Sequence, residues 1–208
     1  MFITLEGPEG SGKTTQIPAL AEYLREQGYS ILTTREPGGT AISNQVREVL
    51  LKMSNESMNA RTEILLFQAA RAQLVEEVIR PALAQDVVVL SDRYADSTLA
   101  YQGYGRETDI RQLEMIVNYA TGCLKPDLTI LFDLDVEIGL RRRQTSGGEW
   151  NRLDACALAF HQRVRQGYLT LAAQEPERWV ILDANRPPDE VQSDLREIIL
   201  YQLAIKRS

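Results

Sequence analysis

Histidine and cysteine are scarce in this chain of 208 residues: there is one histidine, His161, and two cysteines, Cys123 and Cys156. The cysteines form no C-x-x-C pair and have no second histidine to join. This argues against a Cys/His metal site and against a disulfide scaffold; two buried free thiols in a reducing cytosol are expected instead. A lone histidine in a helical pattern, between Phe160 and Gln162, is expected to be structural, and no Ser-His-Asp arrangement is evident. Long apolar runs are also missing. No stretch reaches the roughly 18 apolar residues that a membrane helix needs, and Glu6 interrupts the first apolar segment at once. Neither a membrane span nor a signal peptide is expected, which points to the cytoplasm. An excess of positive charge is lacking as well. With 23 Lys and Arg against 29 Asp and Glu, the net charge is −6. A global attraction to nucleic acid or anionic membrane is therefore not expected, and any anionic ligand must be held by local arginines.

What is present is an ordinary globular composition, 44% hydrophobic and 25% charged. Residues 1–208 are expected to form one domain with a sizeable core. Apolar strand-like runs alternate with helical patterns. The strands are predicted over Phe2–Leu5, Ser30–Thr34, Val87–Ser91, Leu128–Asp133 and Trp179–Leu182. The helices are predicted over Thr14–Gln27, Ser43–Leu51, Arg61–Gln85, Ile110–Gly122, Val136–Arg143, Asp154–Gln174 and Pro188–Lys206. This alternation predicts an α/β fold, a parallel sheet with helices on both faces and ligands beyond the carboxyl ends of the strands.

The residues at those ends carry the chemistry. Gly7-Pro8-Glu9-Gly10-Ser11-Gly12-Lys13-Thr14 matches the phosphate-binding loop G-x-x-x-x-G-K-[ST], between a predicted strand and a predicted helix. Its glycines let backbone N–H groups cradle phosphate oxygens, and the helix N-terminus behind it favours negative charge. Lys13 supplies a point charge toward the β- and γ-phosphates, and Thr14 a hydroxyl for Mg²⁺. The second strand ends in Arg35-Glu36-Pro37-Gly38-Gly39, a forced loop that is either a plain turn or a ligand edge. The third ends in Ser91-Asp92-Arg93-Tyr94. An apolar strand closing on Asp beside a phosphate loop suits a magnesium-side carboxylate, with Arg93 near the transferred group. Phe67 and Arg71 share one helix face; by itself Phe67, among Ile64, Leu65, Leu66 and Leu74, reads as core. Arg141-Arg142-Arg143 precedes Gly147-Gly148, and Arg152 follows; Asp154 is a plausible N-cap there. A mobile arginine segment over about 141–153 suits a lid over triphosphate.

Together these residues resemble the bacterial thymidylate kinases. The resemblance runs from Phe2 to about Tyr168 and rests on Glu6 to Thr15, Thr34 to Thr40, Leu66-Phe67 with Ala70-Arg71, Asp92-Arg93-Tyr94, Ser97 to Gly103, and Asn151 to Asp154. It implies a five-stranded parallel sheet of P-loop nucleoside triphosphate hydrolase architecture, transfer of a phosphoryl group from ATP to dTMP with Mg²⁺, and a homodimer. It further implies that Gly7, Pro8, Glu9, Gly10, Ser11, Gly12, Lys13 and Thr14 hold ATP, with Arg141 near the adenine or phosphates. Glu9, Glu36, Pro37, Arg47, Phe67, Arg71, Arg93, Thr98, Tyr101 and Gln102 would surround dTMP. Phe67 would stack on thymine, overturning the core reading. Arg71 would bond the base edge, and Tyr101 would crowd the 2′ position. Thr14 and Asp92 would support Mg²⁺. Some family members carry an arginine inside the loop where this chain has Gly10, so Arg143 and Arg152 become the expected transition-state donors, alongside Lys13, Asp92 and Arg93. Tyr168 is expected near the site. Another nucleotide or deoxynucleoside kinase shares every phosphate-side feature; a P-loop ATPase switch shares only the loop.

Overall fold

The computed structural model describes residues 1–145 and 150–207. Five short strands form one parallel sheet in the order β2-β3-β1-β4-β5. They are β1 (Phe2–Glu6), β2 (Ile31–Arg35), β3 (Val88–Asp92), β4 (Leu128–Asp133) and β5 (Trp179–Asp183). Each predicted strand is present: Leu128–Asp133 matches β4 and the other four differ by one residue at one or both ends, the boundary error expected of pattern reading. β1 lies at the centre, and its five residues are all buried. That is why it reads as a continuous apolar run and not an alternating one.

The helices are α1 (Lys13–Glu26), α2 (Ala41–Leu51), α3 (Ala60–Leu74), α4 (Arg80–Ala84), α5 (Ala95–Thr98), α6 (Ile110–Thr121), α7 (Val136–Thr145), α8 (Leu158–Gln174) and α9 (Pro188–Arg207). Strand alternation sorts the sheet into two faces. Ile3, Leu5, Ile130 and Phe132 pack with Leu20 and Leu24 of α1 and with Leu195 and Ile199 of α9. Phe2 and Val89 pack on the opposite face with Leu74, Val75 and Ile79. Leu131, Tyr101, Phe160 and Tyr168 extend that second layer toward Trp179. Each fully buried leucine or isoleucine stabilises the fold by about 1.5–3 kcal/mol. The sheet is thus a rigid platform, and its register decides what stands at its edge. Asp92 pairs in register with Leu5 on β1 and with Arg35 on β2. The residues after β1, β2 and β3 therefore converge.

Four expectations need correction. The single helix predicted over Arg61–Gln85 is α3 and α4 joined by a π-helical turn, Val75–Ile79. Pro81 offers no N–H to the carbonyl of Glu77, and the turn widens there, with Arg80 N–H donating to the Val75 carbonyl. Asp154 does not cap α8, whose N-cap is Ala157. Its carboxylate instead accepts from the backbone N–H and side-chain amide of Asn151. The cysteines are not buried: Cys123 is exposed and Cys156 half-buried, because Cys123 sits on the loop just past the C-cap of α6 at Gly122. Finally, residues 95–105 form a helical segment, α5 continued by a π-helical stretch Leu99–Gly105, where no helix was predicted.

Candidate active site

The phosphate loop leaves β1 and enters α1 through Gly12, whose φ of 94° lies in the left-handed region open to glycine. Gly10 has a second constraint. A Cβ there would stand 2.0 Å from the Gly139 carbonyl oxygen of α7. The loop backbone therefore lies directly against the helix that carries the arginine run, and no side chain fits at residue 10. Lys13 is buried, and its Nζ donates to the carbonyls of Gly7 and Pro8, both at 3.0 Å, and to Ser11 Oγ at 2.9 Å. Burial, then the nearby Arg93 charge, pull its pKa down to about 8. Thr14 Oγ1 donates to Asp92 Oδ2 at 2.6 Å. One hydroxyl and one carboxylate at an exposed rim suit Mg²⁺, which keeps most of its water and takes phosphate oxygens as further ligands.

The cleft in front of this loop has a volume of about 660 Å³. Residues 9–16, Arg35, Asp92, Arg142, Arg143 and Arg186 line it. A second, tighter cavity of about 100 Å³ lies behind Arg93. Its walls include Glu9, Glu36, Pro37, Arg47, Phe67, Arg71, Arg93, Thr98, Tyr101 and Gln102. All the residues expected around the acceptor therefore stand around one cavity, and Phe67 is a half-buried wall of it, not a core residue.

The polar groups of this second cavity hold each other in place. Arg71 is 1% exposed, and every N–H of its guanidinium is engaged. Nε and Nη2 meet Glu36 Oε2 at 2.7 Å, Nη1 donates to Gln68 Oε1 and Thr98 Oγ1, and Nη2 donates to the Tyr94 carbonyl. Glu36 Oε1 is a buried acceptor with no partner among the described residues. Arg93 has a φ of 73°, strained for a non-glycine residue by about 1–3 kcal/mol. Its side chain offsets that strain. It donates to the Gly7 carbonyl and Tyr168 hydroxyl at 3.0 Å, the Tyr101 hydroxyl at 2.9 Å and Glu9 Oε1 at 3.2 Å. Burial pushes the Glu9 carboxyl up, but Arg93, Lys13 and the Tyr101 hydroxyl, donating at 2.7 Å, outweigh it and bring the pKa down to about 2. Behind Arg93, Glu6 accepts from Ser97 Oγ at 2.6 Å, the Tyr168 hydroxyl at 2.8 Å and the Tyr94 N–H at 2.7 Å.

Glu9, Glu36, Arg47, Arg93 and Asn151 line both cavities. The two spaces therefore meet at a common wall.

The arginine run divides differently from the expectation. Arg143 lines the cleft and pairs with Asp154 at 3.0 Å. Arg142, not singled out beforehand, lines it too and donates to the Ala184 carbonyl at 3.0 Å. Arg141 is exposed and is not among the cleft-lining residues. Arg152 lines neither cavity. It is 6% exposed, pairs with Glu63 at 2.6 Å and donates to the Leu50 carbonyl at 3.0 Å. Gly147-Gly148, the expected source of lid mobility, lies outside the described residues. His161 is buried in α8, edge-on to Phe160, with its pKa lowered by burial. Ser97 and Asn151 stand in the motifs that carry the resemblance but had no role assigned; both line a cavity, as does Arg186, for which the sequence held no signal.

A phosphate loop at the head of the central strand, with a second enclosed pocket sharing its wall, defines a P-loop nucleotide kinase, a phosphotransferase. Residues 5–195 match the family model described as thymidylate kinase. A thymidylate kinase from Roseiflexus castenholzii is 49% identical over 98% of this chain and 94% of that protein. One from Thermomicrobium roseum is 54% identical over 91% of this chain and 90% of its own length. The crystal structure of thymidylate kinase from Ehrlichia chaffeensis superposes with a TM-score of 0.77 at 33% identity, covering 96% of this chain and 98% of that one. The chain belongs to the thymidylate kinase family.

Proposed function

We propose that the chain transfers the γ-phosphoryl group of ATP to dTMP, giving dTDP and ADP, with the donor in the larger cleft and the acceptor in the tighter pocket. The observation that carries this reading is the shared wall, Glu9, Glu36, Arg47, Arg93 and Asn151. Two nucleotides seated on either side would meet phosphate to phosphate there. The acceptor is already an anion, so the protein's task is positioning and charge neutralisation, with no covalent intermediate. Loop N–H groups and Lys13 bind the donor phosphates; contact with phosphate restores the full charge of a lysine that burial has weakened. Arg93 and Arg47 hold the acceptor phosphate. Arg143 offsets charge on the transferred group, with Arg142 beside it. Thr14 and Asp92 would hold Mg²⁺, which would neutralise charge on the donor phosphates.

Phe67 stacks on the base, Arg71 and Thr98 face its edge, and Tyr101 closes the sugar side. A base that reaches Arg71 takes over the N–H now given to Gln68. We read residues 1–208 as one catalytic domain whose Arg142 and Arg143 face the donor cleft. A homodimer fits the exposed Leu65 of α3 and Met115 and Tyr119 of α6, apolar groups on helices that pack together. No helix among the described residues is long and apolar enough to cross a membrane, and a cytoplasmic setting goes with this reading. The test is ADP release with and without dTMP. Release that depends on dTMP is expected; equal release without it would refute the assignment.

A further inference from the structure

Glu63 stands behind the acceptor pocket. It lies in the first turn of α3, is 1% exposed and does not line the cavity. Three donors converge on its carboxylate: Gln102 Nε2 at 2.8 Å, Arg106 Nη2 at 3.2 Å and Arg152 Nη1 at 2.6 Å. Burial works against its charge, but Gln102 and the two arginines outweigh burial and lower its pKa. An ionised carboxylate only accepts hydrogen bonds. It therefore engages the nitrogen end of the Gln102 amide and no other.

That choice has a consequence one residue further in. A carboxamide has one donor end and one acceptor end. With Nε2 held by Glu63, Oε1 is the end Gln102 has left for the pocket it lines. On the same wall, Thr98 Oγ1 already accepts from Gln68 Nε2 at 3.1 Å and from Arg71 Nη1 at 2.9 Å. With both lone pairs occupied, the Thr98 hydroxyl has only its proton to offer. The pocket thus presents an acceptor at Gln102 beside a donor at Thr98. A pyrimidine with an N3 hydrogen next to a carbonyl matches this pair. One with an N3 lone pair next to an amine reverses it at both points.

Building on the pocket reading above, we propose that Glu63 is a specificity-determining positioning residue: by fixing the Gln102 amide it selects thymine-type monophosphates over cytosine-type ones. In Glu63→Gln the arginines hold the new amide's oxygen, so its NH₂ faces Gln102 and the Gln102 amide turns over. The experiment compares kcat/KM for dTMP and dCMP in the parent and in Glu63→Gln, with melting curves of both proteins. The dTMP preference is expected to fall by about tenfold or more, mainly through a lower KM for dCMP, with kcat for dTMP changed less than about threefold. An unchanged preference in a folded variant overturns the proposal, as does an equal loss for both substrates. A parent protein that accepts dCMP as readily as dTMP would overturn the pocket reading itself, and this proposal with it. Should the variant not fold, the parent protein still decides. Its Gln102 side-chain amide, assigned in ¹⁵N spectra through Gln102→Met, is expected to exchange slowly with solvent; free exchange of both protons overturns the proposal.

Discussion

The two cavities of this molecule are built on opposite plans. Around the acceptor pocket, side chains neutralise side chains: Arg71 on Glu36, Arg93 on Glu9, Arg106 and Arg152 on Glu63. These groups were ordered when the chain folded, so they need little reorganisation when a ligand arrives. Around the donor cleft, backbone does the holding, and the cations stand at the rim: Arg35 and Arg142 are exposed and Arg143 half-buried. Under the proposed function, selectivity would belong to the first plan, because a mismatched base leaves buried polar groups unpaired. Grip on phosphate would, under the same proposal, fall to the second, where cations at the rim stand over the loop. Arg93 joins the two, and its strained backbone sits at that junction.

The largest effect should come from removing that junction. Arg93→Ala is expected to lower kcat/KM by about 10³-fold or more, since it removes charge from both sides of the transfer. Steady-state kinetics check this, and a loss under about tenfold would separate the two cavities functionally. Next comes a contrast within the arginine segment. Arg143→Ala is expected to lower kcat by about 10²–10³-fold at saturating substrate, taking a lost oxyanion donor as the analogy. Arg152→Ala is expected to act mainly on stability, by about 1–3 kcal/mol, because it strips a partner from buried Glu63. If its melting temperature holds while kcat drops as in Arg143→Ala, Arg152 belongs at the phosphates after all.

That contrast also shows where the sequence stops being legible. The phosphate loop was readable because its chemistry depends on fixed spacing between neighbours. The inner strands β1, β3 and β4 were readable because they are buried and carry runs of apolar residues. The arginines at 141–152 were readable as a group, but their division was not: Arg152 is held on Glu63, a buried residue of α3 distant in sequence, and lines neither cavity. Phe67 in isolation pointed to the core, since an aromatic among leucines has the same pattern whether it packs against the core or a ligand. The helix at 95–105 escaped because its widened turns blur the helical period. The first two gaps concern contacts across the fold, which periodicity does not report.

Two smaller effects sharpen the comparison on the acceptor side. Tyr101→Ala is expected to reduce the preference for dTMP over its ribose counterpart by about tenfold, whereas Tyr101→Phe keeps the ring and most of that preference. Competition between the two monophosphates reads this out; equal behaviour of both variants would remove the ring from sugar selection. Smallest is a pH effect. Glu9 has a folded pKa of about 2 against an ordinary 4.5, so its stabilising contribution is complete above 4.5 and is lost as pH falls toward 2. The parent should therefore lose more thermal stability than Glu9→Gln on going from about pH 5 to pH 3. Parallel losses would mean that the Glu9–Arg93 pair contributes nothing to the fold.

The meeting of the two cavities is tested most directly by a crystal structure holding dTMP and a non-hydrolysable ATP analogue together. The account predicts a dTMP phosphate oxygen within about 3–3.5 Å of the γ-phosphorus and in line with the bond to be broken, with Arg93 between the two nucleotides. Two nucleotides separated by a layer of solvent, or a dTMP bound outside the pocket of Phe67 and Arg71, would contradict it.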